Sequence, residues 1–338
     1  MFRLRRRAIA IALLMVLPLV LAACSATGGK KAAEAAANGG TAVAAGHANT
    51  KHYTIAMITH ASAGDTFWDI IRAGATAAAA KDNITLKYSN ADDPTKQAQL
   101  IDDAVNSKVD GIAVTDPNPG ALCPTIQKAK QAGIPVVMFN AGYSNYQTCG
   151  GMEYFGQDEK VAGVAAGKRL AAAGKKNVLC VLQAQGQAQL EARCAGVKEG
   201  LGSEGTMSKL YVNGTDNAAV LSSMTAELTR SKSTDAVITL GAQFALIAVQ
   251  ALNQAHSSAK LYTFDTSAPE IAKIKSGQVQ WAVDQQPYLQ GYESVDGLWL
   301  YLTNGNTIGG GQVVLTGPSF VDASNVDAVA KYAAQGNR

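Results

Sequence analysis

Asn140 and Asp265 close two segments of one design. Asp110-Gly-Ile-Ala-Val-Thr opens a strand, a helix follows, and the next strand ends Met138-Phe139-Asn140. Asp235-Ala-Val-Ile-Thr-Leu opens another, and its successor ends Thr263-Phe264-Asp265, again 30 residues on. A carboxylate accepts two hydroxyl hydrogens, whereas an amide both donates and accepts. Arg193 adds a permanently charged planar fork, suited to two adjacent hydroxyls or a ring oxygen; a solvated helix arginine is its structural alternative. Phe67 and Trp68 stand side by side at a predicted helix start, about 100° apart on the helix, so both cannot easily face the core. A flat ring there offers apolar contact to a C–H face, or packs under the loop. Thr115 and Asp116 end the third predicted strand, and Asp116, preceding Pro117, equally fits a turn. His60 follows the first strand, where it reaches a cleft or serves as a structural loop residue. These groups bind by satisfying buried hydroxyls, each worth about 1–3 kcal/mol when left unpaired. No catalytic set accompanies them: the chain has no G-x-S-x-G elbow, no P-loop, no G-x-G-x-x-G after its first strand and no H-E-x-x-H.

The elements that must position these groups alternate. Strands are predicted at 53–58, 85–88, 111–115, 136–139, 177–182, 209–212, 235–239 and 261–264. Helices are predicted at 67–80, 95–107, 121–132, 158–173, 190–201, 218–230 and 244–253. Thr66 and Asp69 suggest a capping box for the first helix. Single helices between strands mean parallel sheets covered on both faces, and Ile112-Ala-Val114 and Val136-Val-Met-Phe139 are apolar without alternation, as buried parallel strands are. In open parallel sheets ligands bind beyond the carboxyl ends of strands. Two lobes facing each other would therefore point Asn140 and Asp265 into one cleft.

The 338 residues are 47% apolar and 16% charged, enough for two α/β lobes. Arg3, Arg5, Arg6 and Arg7 precede an apolar run from Ala8 to Ala22 that ends Leu21-Ala22-Ala23-Cys24. This is the build of a secretory signal (residues 1–23) with a bacterial lipobox, in which Cys24 becomes the acylated first residue. An uncleaved anchor or a free cysteine beside an ordinary cleavage site are the alternatives, although the run is short for a span of roughly 20 residues. Loss of the four arginines takes the formal charge from +3 to near −1, leaving no basic footprint for nucleic acid. Residues 24–51, Ala/Gly-rich, read as a flexible tether.

Cys123, Cys149, Cys180 and Cys194 remain, an even number that allows three connectivities in an exported chain. Cys180–Cys194 is favoured, because the two sit at matching heights in a strand-turn-helix unit; Cys123–Cys149 follows by default, with buried free thiols as the alternative. No C-x-x-C or paired histidines accompany them, which excludes an ordinary metal site, and no cofactor is expected.

In order and spacing the chain resembles the type I periplasmic sugar-binding proteins of ABC importers, of the ribose- and galactose-binding kind, over roughly residues 52–337. The resemblance rests on Gly64-Asp-Thr-Phe-Trp-Asp69, Gly133-Ile-Pro-Val-Val, Gly156-Gln-Asp-Glu159, Glu191-Ala-Arg-Cys-Ala-Gly196, Phe264-Asp265 and Asp284-Gln-Gln-Pro-Tyr-Leu-Gln-Gly291. It implies two Rossmann-like lobes joined by a three-stranded hinge, with crossings near 155–157, 285–287 and 316–319. Residues 52–155 plus 287–317 would form one lobe and 156–286 plus 318–338 the other. It also implies sugar contacts for Phe67, Trp68, Arg193, Asp265 and the hinge glutamine Gln285. Asn140 precedes Ala141 where the ribose-binding pattern has an aspartate and an arginine, and Gly241 replaces an asparagine, which puts ribose in question. The expectation is a monomeric, lipid-anchored binding protein that takes a monosaccharide or polyol by hinge closure and hands it to an ABC permease. A sensory partner of a chemoreceptor or kinase, or a receptor for a sugar-like signal, is the rival reading; an exported enzyme is another.

Overall fold

The computed structural model describes residues 47–62 and 64–338. The leader, Cys24 and nearly all of the tether lie outside the described residues. Among the described residues no helix is long and apolar enough to cross a membrane.

The chain runs β1 (Tyr53–Thr59), α1 (Phe67–Lys81), β2 (Ile84–Asn90), α2 (Pro94–Asn106), β3 (Gly111–Val114), α3 (Pro119–Gln131), β4 (Val136–Phe139), α4 (Tyr146–Cys149) and β5 (Glu153–Gly156). It continues α5 (Glu159–Ala172), β6 (Asn177–Leu182), α6 (Ala188–Leu201), β7 (Thr206–Tyr211), α7 (Asn217–Arg230), β8 (Ala236–Thr239), α8 (Ala242–Gln254), β9 (Lys260–Phe264), α9 (Ala268–Lys275) and β10 (Val279–Asp284). The last elements are α10 (Pro287–Asn304), β11 (Val313–Leu315), β12 (Ser319–Asp322) and α11 (Val326–Ala333). Two six-stranded sheets result, ordered β11-β5-β4-β3-β1-β2 and β12-β10-β9-β8-β6-β7. All pairings are parallel except β10 with β12.

Burial on both faces explains the unbroken apolar runs. In the first sheet Ile55, Met57, Val137, Phe139 and Phe155 join one core cluster with Ile71 of α1 and Leu298 of α10. Ile58, Ile112, Val114 and Met138 join the other with residues of α2 and α3. The strands that periodicity did not reveal are β5, β10, β11 and β12. β5 carries Glu153, β11 has only three residues, and the antiparallel β12 is a partly exposed edge.

The internal repeat is a structural one. Asp110 receives a hydrogen bond from Thr54 N at 2.8 Å, and Asp235 receives one from Asn177 N at 3.2 Å, each carboxylate pinning the start of its lobe's first strand. Asn140 N donates to Phe155 O at 2.9 Å, and Asp265 N to Val283 O at 2.8 Å. Both residues take a left-handed turn directly after their strands, at φ 61° and 67°. Asn and Asp tolerate that region better than other side-chain-bearing residues, and the turn ends the ladder at the sheet's carboxyl edge.

The chain passes from the first sheet to the second after β5, back after β10, and over again after β11. The three crossings lie against one another: a Cβ on Gly317 would sit 2.9 Å from Asp284 O and 3.0 Å from Gln157 Oε1. The helix pair α5–α6 is closer still. A Cβ at Gly163 would fall 2.3 Å from Arg193 O, and one at Gly196 2.3 Å from Lys160 O. Gly167 and Gly200 repeat the contact one turn on. Disulfides join Cys123 to Cys149 and Cys180 to Cys194.

One local expectation fails. Thr66 makes no side-chain cap to α1; Asp65 accepts from Phe67 N at 3.1 Å instead. Thr66 itself lies at φ −69°, ψ −14°, already helical, whereas a capping hydroxyl requires extended backbone.

Candidate functional site

A cavity of about 580 Å³ opens between the carboxyl ends of the two sheets. The repeat and the crossings decide what meets there. Asn140 ends β4 and Asp265 ends β9, and Gln285 joins them from the second crossing. Its amide donates to Asp265 Oδ1 at 2.6 Å, and its oxygen accepts from Asn140 at 3.2 Å. Gln290, on the first turn of α10, ties Asn140, Gln285 and Thr316 Oγ1 into the same network.

Arg193 is 3% exposed and is held from three sides. Glu159 takes its Nε at 2.6 Å and its Nη2 at 2.9 Å, Leu240 O takes Nη1 at 2.9 Å, and Asp265 Oδ2 lies 3.5 Å from the same nitrogen. Burial opposes the guanidinium's charge, but Glu159 and Asp265 together hold its proton more tightly than usual. Burial pushes the Asp265 carboxyl up to about 6, against the pull of Arg193 and Gln285. Glu159 stands at the first turn of α5 and Arg193 on α6, so the glycine contacts of those helices set the reach of the pair. An ion pair this deeply buried requires good geometry and further hydrogen bonds to offset desolvation; Gln157, donating to Glu159 Oε2 at 2.8 Å, supplies one.

The opposite wall combines aromatic rings with the carboxyl groups of Asp65 and Asp92. Trp68 is 6% exposed and lines the cavity, with Phe67 edge-on to it at 5.3 Å between ring centroids. His60 meets Trp68 edge-on at 4.6 Å. Its Nδ1 bonds Thr115 Oγ1 at 2.8 Å, and its Nε2 lies 3.1 Å from Gln189 on α6 of the other lobe. Burial, with Arg193 nearby, lowers the His60 pKa to about 3, so the ring is neutral. Ala188 N donating to Pro117 O at 3.2 Å adds a second bond across the cleft. The lobes thus touch over the cavity.

Of the residues singled out in the sequence, Phe67, Trp68, His60, Asn140, Arg193, Asp265 and Gln285 line one cavity. Thr115 and Asp116 do not. The Thr115 hydroxyl is spent on His60, and Asp116 accepts from Asn145 at 2.6 Å beside the Cys123–Cys149 disulfide. Both follow a strand whose end is covered, so proximity to the edge did not mean access. Glu159, Gln189 and Gln290 were missed. Glu159 ends the Gly156-Gln-Asp-Glu159 segment, but nothing in the sequence links it to a residue 34 positions on.

Residues 55–307 match the family described as periplasmic binding protein domain. A carbohydrate transporter from Acidothermus cellulolyticus, solved in complex with myo-inositol, is 61% identical; the match covers 85% of this chain and all of that one, with TM-score 0.84. An ABC sugar transporter periplasmic protein from Legionella pneumophila is 26% identical over 78% of this chain and 99% of that one, with TM-score 0.72. The xylose/arabinose-binding protein XylF of Sulfolobus acidocaldarius is 25% identical over 70% of this chain, and this chain spans 63% of that protein's length. With two mostly parallel sheets, three crossings and a polar cleft between strand ends, this chain belongs to the periplasmic binding protein family.

Proposed function

We propose that the protein is the extracytoplasmic solute-binding component of an ABC importer, and that it holds an uncharged cyclic polyol or monosaccharide between its lobes and releases it unaltered. The observation that carries this reading is the network in which Arg193, Asp265, Gln285 and Asn140 converge opposite Trp68. The bonds from Glu159, Leu240 and Asp265 take four of the five N–H groups of Arg193, leaving little to neutralise a ligand's phosphate or carboxylate. Hydroxyls suit what remains, and an aromatic wall suits a C–H face. The relative solved with myo-inositol supports a cyclic polyol.

Hinge closure follows from the crossings: a ligand that contacts both walls has differential affinity for the closed form and shifts the population toward it. The lobes would divide at the three crossings, and the closed pair would present its outer faces to a membrane permease. The lipobox ending at Cys24 supports a lipid anchor, with the protein otherwise a monomer.

Titration calorimetry with myo-inositol, galactose and xylose tests the reading, with NMR of the recovered ligand. Saturable binding with the ligand unchanged is expected. Turnover, or a preference for phosphorylated sugars over all neutral ones, would sink it. Cys24→Ser should release the protein from membranes into the soluble fraction.

A further inference from the structure

The second crossing carries a charge that the ligand cavity does not use. Asp284, the last residue of β10, is fully buried, and its Oδ1 accepts from Gln286 N at 2.8 Å. Its Oδ2 lies 2.5 Å from Nη2 of Arg338, the residue that follows the turn after α11. The same guanidinium donates from Nη1 to Gln286 Oε1 at 3.2 Å. Gln286 sits at φ 55°, in the left-handed region, where a residue with a side chain persists only if its surroundings hold it. Its amide donates to Thr316 O of the third crossing at 2.6 Å.

Gln285 lies between Asp284 and Gln286 and is the glutamine that reaches both Asp265 and Asn140. One arginine therefore holds the side chains on both sides of the residue that joins the two halves of the site. Among the described residues Arg338 is the cation paired with Asp284. The other group facing this carboxylate is Glu270 of α9, buried with neither oxygen hydrogen-bonded. Burial, reinforced by Asp265 and Asp284, raises the Glu270 carboxyl to about 8, so at neutral pH it is protonated and adds no second negative charge.

We propose that Arg338 is a positioning residue for the ligand site: by clamping Asp284 and Gln286 it holds the second crossing in the geometry that aims Gln285 at Asp265 and Asn140. Arg338 touches no ligand. It acts on binding through the crossing, and its charge opposes the burial that drives the Asp284 carboxyl up. The proposal rests on the cleft being the solute site.

Two variants test it, each read in two ways. Hydrogen exchange on the ligand-free protein is expected to be faster over residues 284–290 in Arg338→Gln than in wild type. Calorimetry with myo-inositol is expected to show about a tenfold weaker Kd at pH 7, where Glu270 stays protonated, the equivalent of roughly one lost hydrogen bond. That deficit should shrink toward pH 5, because Asp284 without its cation takes up a proton and no longer carries an uncompensated charge. A merely structural role would lower thermal stability but leave the ratio of affinities independent of pH. Arg338→Lys keeps the charge and loses the fork, and should fall between the two in both exchange and affinity. Unchanged exchange in the crossing, wild-type affinity in Arg338→Gln, or a Lys variant indistinguishable from wild type in both readouts would overturn the proposal. If wild type itself ignores myo-inositol, the polyol reading fails, while the exchange of the crossing still judges Arg338.

Discussion

The two walls of the cleft are built on opposite principles. The first lobe offers Trp68, Phe67, neutral His60 and Asn140 with Asp65 and Asp92; the second offers Arg193 and Asp265, backed by Glu159. The helices behind them differ in the same sense. In the first lobe α1 and α10 meet through Gly74 and Gly291, whose Cβ atoms would fall 2.0 Å from Tyr288 O and Ile71 O. In the second, four glycines bring α5 and α6 together along two turns, and the contact ends at the Glu159–Arg193 pair. On the first wall His60 and Asn140 are held by neutral partners, Thr115, Gln189, Gln285 and Gln290. A buried guanidinium needs charged ones, because each uncompensated ion costs several kcal/mol. The charged wall is therefore completed by the protein itself before any guest arrives.

The comparison breaks most visibly at Arg193. Arg193→Ala is expected to abolish measurable binding by calorimetry and to cost about 3–5 kcal/mol in denaturant unfolding, because Glu159 is left buried without its partner. Should Arg193→Ala cost no more stability than Asn140→Ala, the claimed asymmetry would disappear.

Acid titration separates His60 from Asp265 by sign. The His60 pKa falls from 6.5 unfolded to about 3 folded. The folded state then binds fewer protons, and stability declines as pH drops from about 6.5 toward 3. Asp265 rises from 3.8 to about 6, so its contribution grows as pH falls through 6 toward 3.8 and is lost above. The His60 effect spans up to roughly 4–5 kcal/mol over its whole window. His60→Asn should flatten the acid-side loss in pH-dependent unfolding, and Asp265→Asn should steepen it. The same slope in both variants would contradict the assignment.

Packing gives the next test. Gly163→Ala and Gly74→Ala each force a Cβ into backbone and should each cost at least about 1–3 kcal/mol. Gly163→Ala pushes Glu159 from Arg193 directly and should weaken ligand binding more than Gly74→Ala, which strikes Tyr288 and reaches the site only through Gln285 and Gln290. Parallel unfolding and calorimetry on the two variants decide this. The smallest effect on binding is expected on the first-lobe wall: Asn140→Ala should weaken it about tenfold, one hydrogen bond's worth, with a separate stability cost because alanine fits φ 61° poorly.

Much of this was legible beforehand where the signal is local. Unbroken apolar runs marked β3 and β4 because both faces of their sheet are buried, and the 30-residue repeat placed Asn140 and Asp265 at matching strand ends. Arg193 and Gln285 entered through resemblance, since neither periodicity nor spacing singles them out. Thr115 and Asp116 looked equivalent to Asn140 from the sequence. Their side chains instead serve His60 and Asn145, a matter of which strand end is covered.

By itself the amino-acid order determined the alternation of strand and helix, the duplication of the α/β unit, and cysteines placed to bridge within each half. These follow from periodicity and from contacts between neighbouring elements. Which polar groups share a hydrogen was decided only by the tertiary structure. Glu159 finds Arg193 because glycines let two helices touch, His60 finds Gln189 because two lobes meet, and Gln285 finds both Asn140 and Asp265 because the chain crosses three times. Such pairings depend on distances across space between segments far apart in the chain, and a pattern of residue types does not encode those distances.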